Sequence, residues 1–156
     1  MALSERAAAI GKISIFAGLG ESALEQLANI ANEESFRLGD FVFREGSPGD
    51  AMYLILGGKV RISRDVAGMG EEALAILAPG DYFGEMSIID GAPRSADARV
   101  HEGLTLLVIK KDDMEDLLFL NKDLAYEILW SWVRTLSSRL RETNDKMTFL
   151  SISGKF

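Results

Sequence analysis

The chain predicts an α+β fold that is mainly β: an antiparallel β-roll of jelly-roll type, flanked by N-terminal helices and followed by one long C-terminal helix. Three observations predict it. Between about residues 34 and 110, short runs rich in Val, Ile, Phe, Tyr and Leu are broken at close intervals by Gly, Pro and Asp, the pattern of antiparallel strands joined by tight turns. Ahead of that stretch, Leu24, Leu27, Ile30 and Ala31 recur at helical spacing. Behind it, the residues from Asn121 to about Leu150 contain neither Pro nor Gly and carry apolar side chains at alternating steps of three and four. At 156 residues the chain is one domain, 1–156, large enough to remove roughly two thirds of its unfolded surface from water.

Taken in order, Phe16-Ala17-Gly18-Leu19 leads into the first helical segment. The strand region opens with Phe36-Arg37-Leu38-Gly39-Asp40 and Phe41-Val42-Phe43-Arg44-Glu45-Gly46, and continues through Pro48-Gly49-Asp50 to Val60. The glycines at 39, 46, 49, 57 and 58 are expected in tight turns, without chemistry of their own. Ala98-Arg99-Val100 and Leu104 to Ile109 are expected as separate closing strands, with His101 in a loop between them. Asp112 or Asp113 is expected to cap a short helix ending near Leu120, and Asn121 a longer one; the two helices span about 112–150. On the long helix Tyr126, Leu129, Val133, Leu136, Leu140, Thr143, Met147 and Leu150 form a heptad seam. A seam of this length predicts a homodimer through paired helices; the alternative is a helix that lays this stripe on its own roll. Trp130 and Trp132 fall off the strict seam and are expected to anchor the helix against the roll.

The most informative stretch for chemistry is Phe83-Gly84-Glu85-Met86-Ser87-Ile88-Ile89-Asp90-Gly91-Ala92-Pro93-Arg94-Ser95-Ala96. A glycine and an acid open a short helix, and Pro-Arg-Ser follows it. A helix start points free backbone N–H groups outward with partial positive charge, so the amides near Gly84 to Ser87 can hold an anion. Gly84 lets the backbone approach closely. Arg94 carries a planar fork that matches two phosphate oxygens.

This spacing resembles, without insertion or deletion, the phosphate-binding cassette of the cyclic nucleotide-binding domain family, and the resemblance extends from about Phe16 to Leu150. It implies a ligand site formed by Phe83, Gly84, Glu85, Met86, Ser87, Arg94, Ser95 and Ala96, with Val60 contributing. In that setting the Glu85 carboxylate accepts the one free ribose hydroxyl of a 3′,5′-cyclic nucleotide and offsets the charge of Arg94. In the bacterial catabolite-activator branch, the equivalent of Leu140 to Lys146 contacts the base from a paired helix. By that likeness Thr143 bonds the polar edge of the base, Asn144 reaches the ligand in the partner subunit, and Arg139 lies one turn earlier. Ser95 and the Thr143-Asn144 pair resemble the branch that binds cyclic AMP, so cyclic AMP is the expected ligand and cyclic GMP the alternative. The implied function is a cyclic nucleotide sensor that transmits binding through its C-terminal helix. Two other readings stay open: a constitutive dimerisation or scaffold domain with a degenerate pocket, and the sensor part of a transcription regulator without its DNA-binding domain.

Composition removes several classes. Cysteine is absent, which leaves no disulfide framework, thiolate nucleophile or iron–sulfur ligation. A single histidine argues against a cupin-type metal site and most haem sensors, and no metal or cofactor is expected. A net charge of −7 opposes general binding to phosphate backbones. No nucleophile–base pair or metal cluster is present, and a phosphodiesterase would need metal ligands to activate water, so no enzyme is expected. No apolar run is long enough to span a bilayer and no signal peptide is evident, which places the protein in the cytoplasm. By the same resemblance, regulators of the catabolite-activator branch carry a DNA-binding domain after the long helix, with the hinge to it beginning at the position of Ser151 to Phe156, and no DNA binding is expected of this chain.

Overall fold

The computed structural model describes residues 1–153. Residues 154–156, part of the expected hinge, lie outside the described residues. Two N-terminal helices, α1 (Leu3–Gly11) and α2 (Glu21–Ile30), are joined through a 3₁₀ turn at Ser14–Phe16. The strands are β1 (Ala31–Phe36), β2 (Phe41–Phe43), β3 (Ala51–Val66), β4 (Gly70–Leu77), β5 (Tyr82–Phe83) and β6 (Asp97–Lys110). Helix α3 (Glu85–Asp90) interrupts them before β6, and α4 (Lys111–Leu120) and α5 (Lys122–Ser153) close the chain. All pairings are antiparallel in the order β1-β6-β3-β4, with β2 added to β6 and β5 to β3. The result is the jelly-roll-type architecture that the turn spacing predicts.

β3 and β6 form the spine, and along residues 51–55 of β3 and 106–109 of β6 both faces are buried. Side chains alternate across a strand. Met52 and Leu54 of β3, with Leu107 and Ile109 of β6, pack outward beneath the helices with Ile10, Phe16, Leu27, Met114, Leu124, Ile128 and Trp132. Their neighbours Tyr53, Ile55, Leu106 and Val108 turn into the roll with Val60, Phe83, Ala98, Val100 and Leu104. Burial on both faces is why these segments read as nearly unbroken apolar runs. The spine bends where its register shifts between Ile55 and Val60. Gly58 has φ +82° there, and a side chain on it would run into the Gly103 carbonyl oxygen.

Several local expectations are corrected. Gly57 and Gly58 lie inside β3 at this bend and not in a turn. The two closing strands are one continuous β6, so His101 belongs to a strand. The first strand begins at Ala31, before position 34, and takes over the last residue of the helical pattern. Neither Asp112 nor Asp113 caps α4; Lys110 is the N-cap without a side-chain bond, and both acids sit in the first turn, where they favour the helix dipole. Asn121 does cap α5, its Oδ1 accepting the Leu124 N–H at 3.1 Å.

Helix α5 presents two different stripes. Leu124, Ala125, Ile128, Ser131 and Trp132 face the core. Trp132 packs on Phe16 with ring centroids 6.3 Å apart, and the Ser131 hydroxyl donates to the Ile15 carbonyl at 2.6 Å. The seam residues Tyr126, Leu129, Val133, Leu140, Met147 and Leu150 are exposed, and Leu136 is half-buried. The roll is therefore covered by a stripe other than the seam. Trp130 does not anchor the helix; it is exposed and meets Tyr126 edge-on. No helix among the described residues is long and apolar enough to cross a membrane. Trp132→Ala should cost about 3–5 kcal/mol in urea unfolding, whereas Leu120→Ala, at an exposed corner of α4, should stay within about 0.5 kcal/mol.

Candidate functional site

The fold gathers one arginine, one carboxylate and a second arginine around a cavity of about 230 Å³. Gly84 is the residue before α3, with φ +80°, a left-handed conformation that side-chain-bearing residues rarely adopt. A Cβ on it would also sit 2.8 Å from an Arg94 terminal nitrogen and 3.1 Å from the Ala51 carbonyl oxygen. The glycine is thus required twice, by its backbone angle and by the arginine beneath it.

Arg94 is 4% exposed. It donates to the Ala51 carbonyl at 2.7 Å and to the Gly84 carbonyl at 3.0 Å, and its guanidinium lies 4.2 Å from the centre of the Phe43 ring. Its Nε is buried without a partner. These two carbonyls use two of its five donors, and the buried Nε is among the remaining three. Burial pushes the Arg94 pKa down, while the nearby Tyr53 hydroxyl and Asp50 pull it back up. Tyr53, stacked on Phe83 at 5.0 Å, has its own pKa raised by burial against the opposing effect of Arg94.

Glu85 opens α3 and is 5% exposed. Its Oε1 accepts from Arg139 of α5 at 3.1 Å. The Arg139 guanidinium also covers the Tyr82 ring at 4.6 Å. Burial raises the Tyr82 pKa, and Arg139 opposes that rise. This pair is the side-chain link between the cassette and α5 beyond the residues that α5 buries.

Of the residues singled out in the sequence, Phe83, Gly84, Glu85, Met86, Ser87, Arg94, Ser95, Ala96 and Arg139 line this one cavity. Val60 does not; it is fully buried in the roll, and its cross-strand partner Leu77 takes the wall position. Thr143 and Asn144 are exposed on α5 and lie off the cavity. Phe43, Ile62, Leu77 and Tyr82 complete the walls. Sequence reasoning missed these four, although Tyr82 precedes the cassette directly and Ile62 shares strand parity with Val60. A wider trough of about 760 Å³ runs between the 46–50 loop, Pro93 and the start of α4, but it contains neither Glu85 nor Arg94. The chemistry lies in the smaller cavity, whose side-chain charge, Arg94 plus Arg139 less Glu85, is +1. No cluster of three or more potential metal ligands occurs among the described residues.

A family model described as the cyclic nucleotide-binding domain matches residues 33–121, more than half of the chain. The CRP-like cAMP-activated global transcriptional regulator of Mycobacterium tuberculosis is 33% identical over 141 residues, covering 90% of this chain and 61% of the relative. The cyclic AMP receptor protein of Thermus thermophilus is 33% identical over 137 residues, covering 88% and 62%. The crystal structure of the N-terminal domain of a transcriptional regulator from Streptomyces coelicolor A3(2) superposes with a TM-score of 0.76 at 30% identity, over 89% of this chain and 94% of that one. The chain thus spans about three fifths of the length of these curated relatives.

The arginine's bonds make a stability prediction. Arg94→Leu strands two buried carbonyls and should destabilise the fold by about 1–3 kcal/mol in urea unfolding. The milder Arg94→Lys should lose less, because an ammonium can still bond one carbonyl.

Proposed function

The chain belongs to the cyclic nucleotide-binding domain family, and we propose that it is a sensor module for cyclic AMP that acts through its C-terminal helix. The observation that carries this reading is the convergence of buried Glu85 and Arg94, with Arg139 of α5, on one cavity. The cyclic phosphate meets the amides around Gly84 to Ser87, the free donors of Arg94 and the Ser95 hydroxyl. The ribose hydroxyl donates to Glu85, whose Oε2 has no partner among the described residues. Phe83, Met86 and Ala96 wall the sugar, and Val60 supports them from inside the roll. The base extends toward Thr143, and toward Asn144 of the partner subunit. Cyclic AMP is preferred to cyclic GMP on the Thr143-Asn144 pair and on the relatives named for cyclic AMP. The reading is of a cytoplasmic binding module over residues 1–156, not an enzyme, with no metal and no DNA contact through these residues.

Homodimerisation completes the proposal. With Tyr126, Val133, Leu140 and Met147 at one core position of the heptad, Arg139 and Lys146 fall at flanking positions. Parallel pairing sets them opposite Asn144 and Ser151 of the second copy, whereas antiparallel pairing would set the two cations against each other. The parallel arrangement therefore also brings Asn144 toward the Arg139–Glu85 end of the cavity. Ligand can shift α5 only by its difference in affinity for two α5 arrangements, and Arg139 is the residue placed to feel that difference. One observation favours a second reading, a scaffold with a degenerate pocket: both terminal nitrogens of Arg94 already hold backbone carbonyls.

Titration calorimetry separates the readings. The parent should bind cyclic AMP more tightly than cyclic GMP. A 2′-deoxy ligand should lose about 1–3 kcal/mol, and that gap should shrink in Glu85→Gln. No heat with either nucleotide selects the scaffold; tighter cyclic GMP binding overturns the choice of base.

Sedimentation of the parent at micromolar concentration should give a dimer, and Leu140→Glu, which sets a charge in the seam, should give a monomer. A monomeric parent removes both the seam and the cross-subunit role of Asn144.

A further inference from the structure

On the outer face of the roll, a concavity of about 280 Å³ is lined by Leu38, Gly39, Arg61, Glu71, Arg99 and His101, with the Val100 backbone at its floor. Arg61 on β3 and Arg99 on β6 are directly opposite each other in the antiparallel register. Like charges so placed repel and weaken the pair. One carboxylate stands beside the pair and reaches only one of them: Glu71 lies 3.2 Å from the Arg61 Nε. Arg99 has no carboxylate partner among the described residues.

Arg99 is nevertheless held in place. Its Nε donates to the Gly39 carbonyl at 3.2 Å, and its guanidinium lies 5.0 Å from the centre of the Phe41 ring, which Arg44 approaches at 4.1 Å. Its terminal nitrogens make no hydrogen bond among the described residues, so a pre-set fork faces outward. His101, two residues along β6, projects from the same strand face and adds a ring donor. The local side-chain charge, Arg61 plus Arg99 less Glu71, is +1 in a chain whose net charge is −7. General surplus of positive charge therefore does not explain it.

We propose that this concavity is a second anion site, distinct from the cassette, that holds a small phosphate-class oxyanion between the forks of Arg61 and Arg99 with His101 beside it. The anion neutralises the repulsion that the opposed arginines create. Arg61 and Ile62 are consecutive on β3, so the strand carries the outer site on one face while Ile62 walls the cassette cavity on the other.

His101 is the single histidine of the chain, so its ring resonances report this pocket alone. Inorganic pyrophosphate, added at constant pH and low salt, should move them along a saturating curve. Arg99→Gln should raise the half-saturating concentration about fivefold or more, and Glu71→Gln should lower it. Arg94→Leu should leave the His101 response unchanged, which separates this site from the cassette. Cyclic nucleotide binding should be equal in Arg99→Gln and the parent. These side chains sit at the surface, where substitutions leave the fold standing. A linear drift without saturation would mean screening only and overturns the site, as does the same curve in Arg99→Gln, or loss of the response in Arg94→Leu.

Discussion

The cassette depends on burying one guanidinium. Removing Arg94 from water carries a large desolvation cost, offset only by fixed acceptors. The Ala51 and Gly84 carbonyls supply them, and the Phe43 ring covers the flat face. The backbone of the same residue is fixed too: its N–H donates to the Ser47 carbonyl at 2.9 Å, and its carbonyl accepts from Gly46 at 2.8 Å. One residue thereby ties the 46–47 turn, the start of β3, the entry to α3 and the approach to β6. The left-handed Gly84 follows from that tie, since any Cβ there would meet the guanidinium.

The same spine joins this cassette to the helices. Because residues 51–55 of β3 and 106–109 of β6 are buried on both faces, Tyr53 meets Phe83 inside the roll while its neighbours Met52 and Leu54 meet the helical layer. A close-packed interior transmits displacement poorly as gradual deformation and well as a switch between packings. The inner half of α5 belongs to this packed layer through Ile128 and Trp132. Its outer half, residues 140–152, is exposed all round, and the Arg139–Glu85 pair one residue earlier ties it to the roll. A single ion pair at the border between a fixed and a free helix segment is a small energetic term. It is also the term that a ligand bound to Glu85 would alter.

The architecture was legible in the sequence because turn glycines and strand residues alternate on a short repeat, and because the helix after Asn121 is unbroken. The division of labour on α5 was less legible. A seam at alternating three and four looks the same whether it faces the roll or a second helix, and only the burial of Ser131 and Trp132 shows which stripe the roll uses. The cavity's polar residues were readable from local spacing, since Gly84, Glu85, Arg94 and Ser95 lie within one short segment. Its apolar walls were not, because Phe43, Ile62 and Leu77 arrive from strands distant in sequence. For the same reason Val60 was placed in the cavity when its side chain points into the core. That Arg94 would be bonded to carbonyls was also hidden, since no sequence pattern records the backbone oxygens a fold brings near a side chain.

A chain of net charge −7 can still carry sites for anions, because the two properties act over different distances. At physiological salt, exposed charges are felt over about 8 Å, so the overall charge acts weakly on a group already inside a cavity. Around the roll most cations are cancelled locally: Arg44 by Asp97 at 3.4 Å, Lys59 by Glu102 at 3.5 Å, Arg61 by Glu71 at 3.2 Å and Arg64 by Glu45 at 3.3 Å. Asp50, 3.8 Å from Arg94, is 83% exposed and spends its field in water. A small excess also stays in two concavities, each with two arginines against one carboxylate. A polyanion needs a continuous basic surface, which this pairing removes. A small anion needs only one uncompensated guanidinium held in a fixed place. In the reading proposed above, selectivity for small anions over nucleic acid follows from how the arginines are paired, not from how many the chain contains.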